Sequence, residues 1–151
     1  MFYNRRQRLS AGFTLIEILI TIAVIAMLLG LISSGGTVAR KKAQVYRAQT
    51  MIASLETALA MYHADFGAYP ASGNVNLVNL LADKATYDAF ADWQGPYMSF
   101  KKDDLNGAIP GAALEDPWDN SYNYVNSGTT YTIRSSGPDG MSLTADDITN
   151  D

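Results

Sequence analysis

The chain contains no cysteine. It can form no disulfide and no thiolate metal site. It has a single histidine, His63, with no second imidazole for a metal pair and no Ser/His/Asp or Cys/His arrangement around it. Basic residues are scarce as well: 11 Lys and Arg stand against 15 Asp and Glu, for a formal charge of −4. Three of those cations, Arg5, Arg6 and Arg8, lie within the first dozen residues, so the remainder is more acidic still. An acidic body argues against a nucleic-acid binder, which needs a basic face to neutralise phosphates. At 151 residues there is room for one domain with a modest core. A small domain without disulfides invites a search for another staple, such as a metal clip.

What the sequence does have is one long apolar run, FTLIEILITIAVIAMLLGLI, from Phe13 to Ile32. At ~1.5 Å per residue such a helix spans roughly 30 Å, a bilayer core. The basic cluster ahead of it predicts a cytoplasmic N-terminus with the rest of the chain outside. A secretory signal peptide has the same polarity, and Ser33-Ser34-Gly35-Gly36 offers a small-residue cleavage site; a plain signal anchor is a second alternative. Glu17 speaks against both. A carboxylate inside an apolar helix is costly and ordinarily has a partner and a role, yet the run holds no Lys or Arg. A cut between Gly12 and Phe13 would create an α-amino group on Phe13, a cation at the depth of Glu17 in a neighbouring copy.

Gly12-Phe13-Thr14-Leu15-Ile16-Glu17, behind a short basic leader and ahead of an apolar helix, resembles the type IV prepilin motif. The resemblance implies cleavage after Gly12 by a membrane prepilin peptidase, N-methylation of Phe13, and pairing of Glu17 with a neighbouring subunit's terminus during assembly.

Beyond the glycines, Val45, Ala48, Ile52, Leu55, Leu59, Tyr62 and Phe66 recur at alternating spacings of three and four. This predicts an amphipathic helix ending at Gly67, with Arg40, Lys41, Lys42, Arg47, Glu56 and Asp65 on its polar face. His63 falls just off the stripe, as a surface or half-buried structural histidine. Gly30, Gly35 and Gly36 weaken helix locally, and residues 30 to 36 are expected to loosen when the subunit leaves the bilayer. Val75 to Phe90 predicts one or two short helices, and Pro96 to Gly111 a loop anchored by Trp93, Tyr97 and Phe100.

The C-terminal part is sharper. Asp116-Pro117-Trp118-Asp119-Asn120 predicts a turn in which Asp116 and Asp119 are turn formers rather than a catalytic pair. An alternating strand through Tyr122 and Tyr124, a turn at Asn126-Ser127-Gly128 and a partner strand from Tyr131 to Ser135 make a hairpin. Ser136-Gly137-Pro138-Asp139-Gly140-Met141-Ser142 follows, then Asp146-Asp147. Hard oxygen donors at flexible spacing suit Ca²⁺, although the spacing is not an EF-hand and loops of this kind are often solvated turns.

The DPW-x-N-x-Y-x-Y segment, the strand pair, the S-x-G-x-D-G loop and the Ala145-Asp146-Asp147-Ile148 ending are similar to the major pseudopilin family of type II secretion systems, as is Gly67-Ala68-Tyr69-Pro70 after the helix. The middle of the chain carries no such likeness. The resemblance implies an α+β, type IV pilin-like fold: a long N-terminal helix packed on a small head with short helices, a small antiparallel sheet and a metal-binding loop. The organisation expected is a leader at 1–12, a membrane and filament-core helix at 13–35, an amphipathic helix at 36–68 and a head at 69–151. It further implies calcium ligated by Asp139 and Asp147, with Asp146 a less secure ligand, Ser136 and Met141 offering carbonyls and Ser142 an oxygen. The loop between the aspartates is shorter than the family pattern.

The function implied is a non-enzymatic structural subunit that self-assembles into a periplasmic pseudopilus with an inner-membrane assembly platform and minor pseudopilins. Before assembly it would be a single-pass inner-membrane protein with a periplasmic head, and afterwards part of a periplasmic or cell-surface filament. The alternatives are a subunit of a type IV pilus and an enzyme exported behind this leader.

Overall fold

The computed structural model describes residues 12–33, 36–83 and 93–150. The basic leader, the centre of the glycine break at 34–35, and the second half of the expected 75–90 helical stretch lie outside the described residues. Two compact units divide the chain, residues 1–40 and 41–151.

In the first unit, α1 covers Leu15–Ser33. It starts two residues later than the apolar run because Thr14 caps it. The Thr14 amide (2.8 Å) and hydroxyl (2.7 Å) both donate to Glu17 Oε2, and the Glu17 amide reaches back to Thr14 Oγ1 at 3.4 Å. This is a capping box, threonine three residues ahead of glutamate. Apolar side chains point outward on every face of α1; Ile16, Leu19, Ile22 and Leu29 are each more than half exposed. The expected membrane span of 13–32 includes Leu31 and Ile32, whose side chains lie outside the described residues. Among the described residues no helix is long and apolar enough to cross a membrane.

The next helix, α2, runs from Gly36 to Phe66. Its stripe forms as the spacing predicts: Ala48, Ile52, Leu55, Leu59 and Tyr62 are buried, with Val45 and Phe66 packed at the margins. Gly67 adopts φ +66 and its amide donates to the His63 carbonyl at 2.8 Å, a left-handed stop that glycine adopts without a Cβ penalty. His63 is exposed and its ring rests on Tyr69, centroids 4.6 Å apart.

The core of the second unit is α2 against α3 (Asn74–Ala82) and a sheet. From α3 come Leu77, Val78, Leu80 and Leu81. Strands β1 (Asn123–Asn126), β2 (Tyr131–Ser135) and β3 (Ile148–Thr149) form an antiparallel sheet in the order β1-β2-β3. Tyr124 faces Ile133, and Ser135 faces Ile148, so alternate residues enter the core. The hairpin follows the sequence expectation; β3 is an addition, since two residues are too short for alternation to show. The loop between α3 and β1 is anchored by Tyr97, whose ring meets Tyr62 edge-on at 5.7 Å and whose hydroxyl donates to Asp65 at 2.5 Å. Lys102–Asp104 makes one 3-10 turn, and the buried Asp104 carboxylate pairs with Arg47 of α2. Asn74 stitches the loop inward. Its amide donates to the Leu114 (2.8 Å) and Tyr122 (2.9 Å) carbonyls and its oxygen accepts from the Leu114 amide (2.8 Å).

Candidate functional site

Two features carry the chemistry, one at each end. At the N-terminal end Phe13 is 81% exposed, and a Cβ on Gly12 would meet no atom within 4 Å. Among the described residues nothing therefore requires glycine at position 12. Glu17, read from sequence as lacking a partner within its own segment, has one in Thr14. Both Thr14 bonds land on Oε2, and among the described residues Oε1 accepts none. The capping box was visible in the sequence as T-x-x-E.

At the C-terminal end β2 runs into the Ser136–Asp147 loop, which returns to the sheet through β3. The loop is braced from the Asp116 turn. Asp116 is buried; its Oδ1 accepts from the amides of Trp118 (3.0 Å) and Asn120 (2.9 Å), and its Oδ2 from Ser135 Oγ (2.6 Å). This is the turn former expected, with the additional task of fixing the end of β2. Asn120 Nδ2 then donates to the Gly137 carbonyl at 3.3 Å. Gly137, at φ +63, is pressed against Asp146 so closely that a Cβ would collide with the Asp146 carbonyl.

Within the loop three carboxylates converge on one hydroxyl. Thr144 Oγ1 lies 3.4 Å from Asp139 Oδ1, 2.8 Å from Asp146 Oδ1 and 3.2 Å from Asp147 Oδ1, with the Met141 carbonyl at 3.0 Å. The second oxygens of Asp146 and Asp147 are held from behind, Asp146 Oδ2 by the Asp139 amide (3.2 Å) and Asp147 Oδ2 by the Leu143 amide (2.7 Å). The Thr144 hydrogen bond, ahead of weaker backbone contacts and against a smaller effect of burial, holds the Asp146 carboxyl below the usual carboxylate range.

A hydroxyl has a single proton. It satisfies one of the four oxygens around it; Asp139 Oδ1 also accepts from the Met141 amide at 2.8 Å, and the rest are left facing each other. That donor set, all hard oxygen, fits Ca²⁺ and does not fit a soft or borderline metal. Among the described residues no group of three or more His, Cys, Asp or Glu side chains could by itself hold a metal ion. A cation here depends on the Thr144 hydroxyl and the Met141 carbonyl as well as carboxylates. Of the six metal residues expected from sequence, Asp139, Asp146, Asp147 and Met141 meet around Thr144. The Ser136 and Ser142 side chains hydrogen-bond each other, Oγ to Oγ at 3.1 Å. Thr144 was missed because an uncharged hydroxyl amid aspartates carries no sequence signal.

Comparison with known proteins agrees with this arrangement of parts. Residues 37–151 match the family described as type II secretion system (T2SS), protein G. The chain belongs to the type II secretion system protein G family. Residues 7–33 match the prokaryotic N-terminal methylation motif, which spans Gly12, Phe13 and Glu17. Type II secretion system core protein G of Escherichia coli K12 is 36% identical over 141 residues, covering 92% of this chain and 89% of that protein. The protein of the same name from Pectobacterium carotovorum is 34% identical, over 96% of this chain and 85% of its own. The crystal structure of the major pseudopilin from the type 2 secretion system of enterohaemorrhagic Escherichia coli is 27% identical and covers 77% of this chain and 89% of that one, with a TM-score of 0.47.

Proposed function

We propose that this protein is the major structural subunit of a type II secretion pseudopilus, processed at its N-terminus and polymerised through α1. The observation that carries the reading is α1 itself, apolar on all faces and exposed from residue 15 to residue 30, with a carboxylate at its start. A helix apolar all round is stable only when something outside it covers every face. Lipid serves before assembly and the α1 helices of other copies serve after it. The subunit waits in the inner membrane with its head in the periplasm, and the filament grows into the periplasm from the inner-membrane assembly platform and minor pseudopilins. Prepilin peptidase removes residues 1–12, and Phe13 becomes the methylated terminus. The exposed Gly12-Phe13 junction and the open space around Gly12 among the described residues support this.

The capping box gives Glu17 two uses. In the single subunit, Thr14 supplies donors to Oε2, which reduces the cost of a carboxylate at membrane depth. Oε1 remains to accept the Phe13 ammonium of a neighbour. Glu17→Ala is expected to leave membrane insertion intact and abolish filaments. Normal filaments from that variant would overturn the assembly role.

The C-terminal loop is proposed as a calcium clip. Asp139, Asp146, Asp147, Thr144 Oγ1 and the Met141 carbonyl hold the ion, and Ser136 and Ser142 brace the loop. Calcium, when bound, supplies the divalent charge that lets the converging carboxylates share one place. The chain's own groups do the positioning: the amides behind Asp146 and Asp147 leave one oxygen of each turned inward. Removing calcium should lower the melting temperature of the full chain in detergent, with magnesium a poor substitute because it demands a tighter octahedron. No response to chelator would sink the clip.

A further inference from the structure

We infer that Arg134 is a built-in counter-cation for Asp147 that competes with calcium for this carboxylate; the inference rests on the calcium clip proposed above. Arg134 stands on β2 opposite Thr149 of β3, which places its side chain beside the loop's last aspartate. Its Nε lies 3.3 Å from Asp147 Oδ2, and the two side chains are 25% and 8% exposed. That Nε is buried and has no aligned hydrogen-bond partner. The pair is therefore held by charge rather than by a well-directed hydrogen bond, in a place where solvent screens little.

The geometry divides Asp147 in two. Oδ2 faces Arg134 and the Leu143 amide, while Oδ1 faces Thr144 and the other carboxylates. Asp139 and Asp146 have no basic partner among the described residues. Arg134 thus neutralises one of the three carboxylates whether or not a metal is present. Two effects of opposite sign follow. Without calcium, Arg134 relieves repulsion in the loop and keeps it closed against β2. With calcium, a guanidinium one carboxylate away repels the arriving dication. The fixed charge sacrifices affinity for a loop that is less dependent on the ion.

A purely orienting role for Arg134 predicts the reverse for affinity, since losing the brace would loosen Asp147 and weaken binding. The test is calcium titration by calorimetry of the full chain in detergent, together with thermal melts in chelator, for wild type, Arg134→Gln and Arg134→Lys. Arg134→Gln should bind calcium about tenfold more tightly, as expected from removing a charge a few ångströms away. It should also melt lower in chelator, so that its melting temperature rises more on adding calcium. Arg134→Lys, which keeps the charge, should stay near wild-type affinity. Binding by Arg134→Gln that is equal to or weaker than wild type overturns the inference and leaves the clip standing, provided wild type binds. If neither binds, both fail. If only Arg134→Gln binds, the inference stands and the clip fails for the native chain. Should Arg134→Gln unfold without calcium, recovery of its near-ultraviolet circular dichroism on adding calcium supports the inference, and no recovery refutes it.

Discussion

Two aspartate-bearing turns sit side by side on this head and solve the same electrostatic problem in opposite ways. Asp116 is buried with three donors on its two oxygens, two backbone amides and one serine hydroxyl. The 139–147 loop gathers three carboxylates and a carbonyl around one threonine hydroxyl. The first site is complete within the chain; the second has more acceptors than protons. Both are short aspartate turns, so what separates the structural turn from the proposed ion site is the ratio of donors to acceptors at each carboxylate.

Calcium withdrawal should break the comparison most visibly. At a free concentration about a thousandfold above Kd, a bound ion stabilises by about 4 kcal/mol. Chelator melts of wild type should lose that increment, and Asp147→Asn should abolish it. Next comes Asp116→Ala, which strands a buried serine hydroxyl and two amides. A loss of about 3 kcal/mol is expected in chelator, measured by denaturant titration, where no ion contributes. Little loss under that condition would dissolve the distinction between the two turns. Thr144→Val is a smaller change: it removes the shared proton and one neutral ligand, and should weaken calcium binding by several-fold in calorimetry while changing the Asp116 turn little.

The smallest effects are in pH. Burial first, and then the Asp116 and Asp104 charges, push the Tyr122 phenol above its ordinary 10.0. Its protonated form is favoured in the folded state, so that contribution is whole below pH 10 and is lost as pH climbs above it. Asp146 is displaced the other way from 3.8, so its contribution is present above that value and disappears on acidification below it. Phenolate absorbance should show Tyr122 titrating earlier in Asp116→Asn, and amide exchange should show the 139–147 loop opening first in acid.

The first helix was legible as an unbroken apolar run, and α2 and the hairpin because each obeys a periodicity. The seven-residue stripe from Val45 to Phe66 is buried or packed along its whole length, and the alternation of Tyr122, Tyr124 and Ile133 marks the inner face of the sheet. The T-x-x-E cap was legible too, yet the missing Lys and Arg drew attention to charge rather than to hydrogen bonds. What could not be read were contacts across long separations between residues of ordinary type. Asn74 reaching Leu114 and Tyr122, Arg47 reaching Asp104, and Arg134 beside Asp147 leave no periodic trace. The Asp139–Asp147 loop was found by composition, while its centre, Thr144, is defined only by the fold.

β3 has a consequence for how the loop can open. Its residues, Ile148 and Thr149, pair with β2, and Asn150 bonds both the amide and the carbonyl of Ile133. The Ser136–Asp147 loop is therefore clamped at both of its ends to one sheet. Opening it widely means peeling β3 from β2, so loop and strand form one cooperative unit.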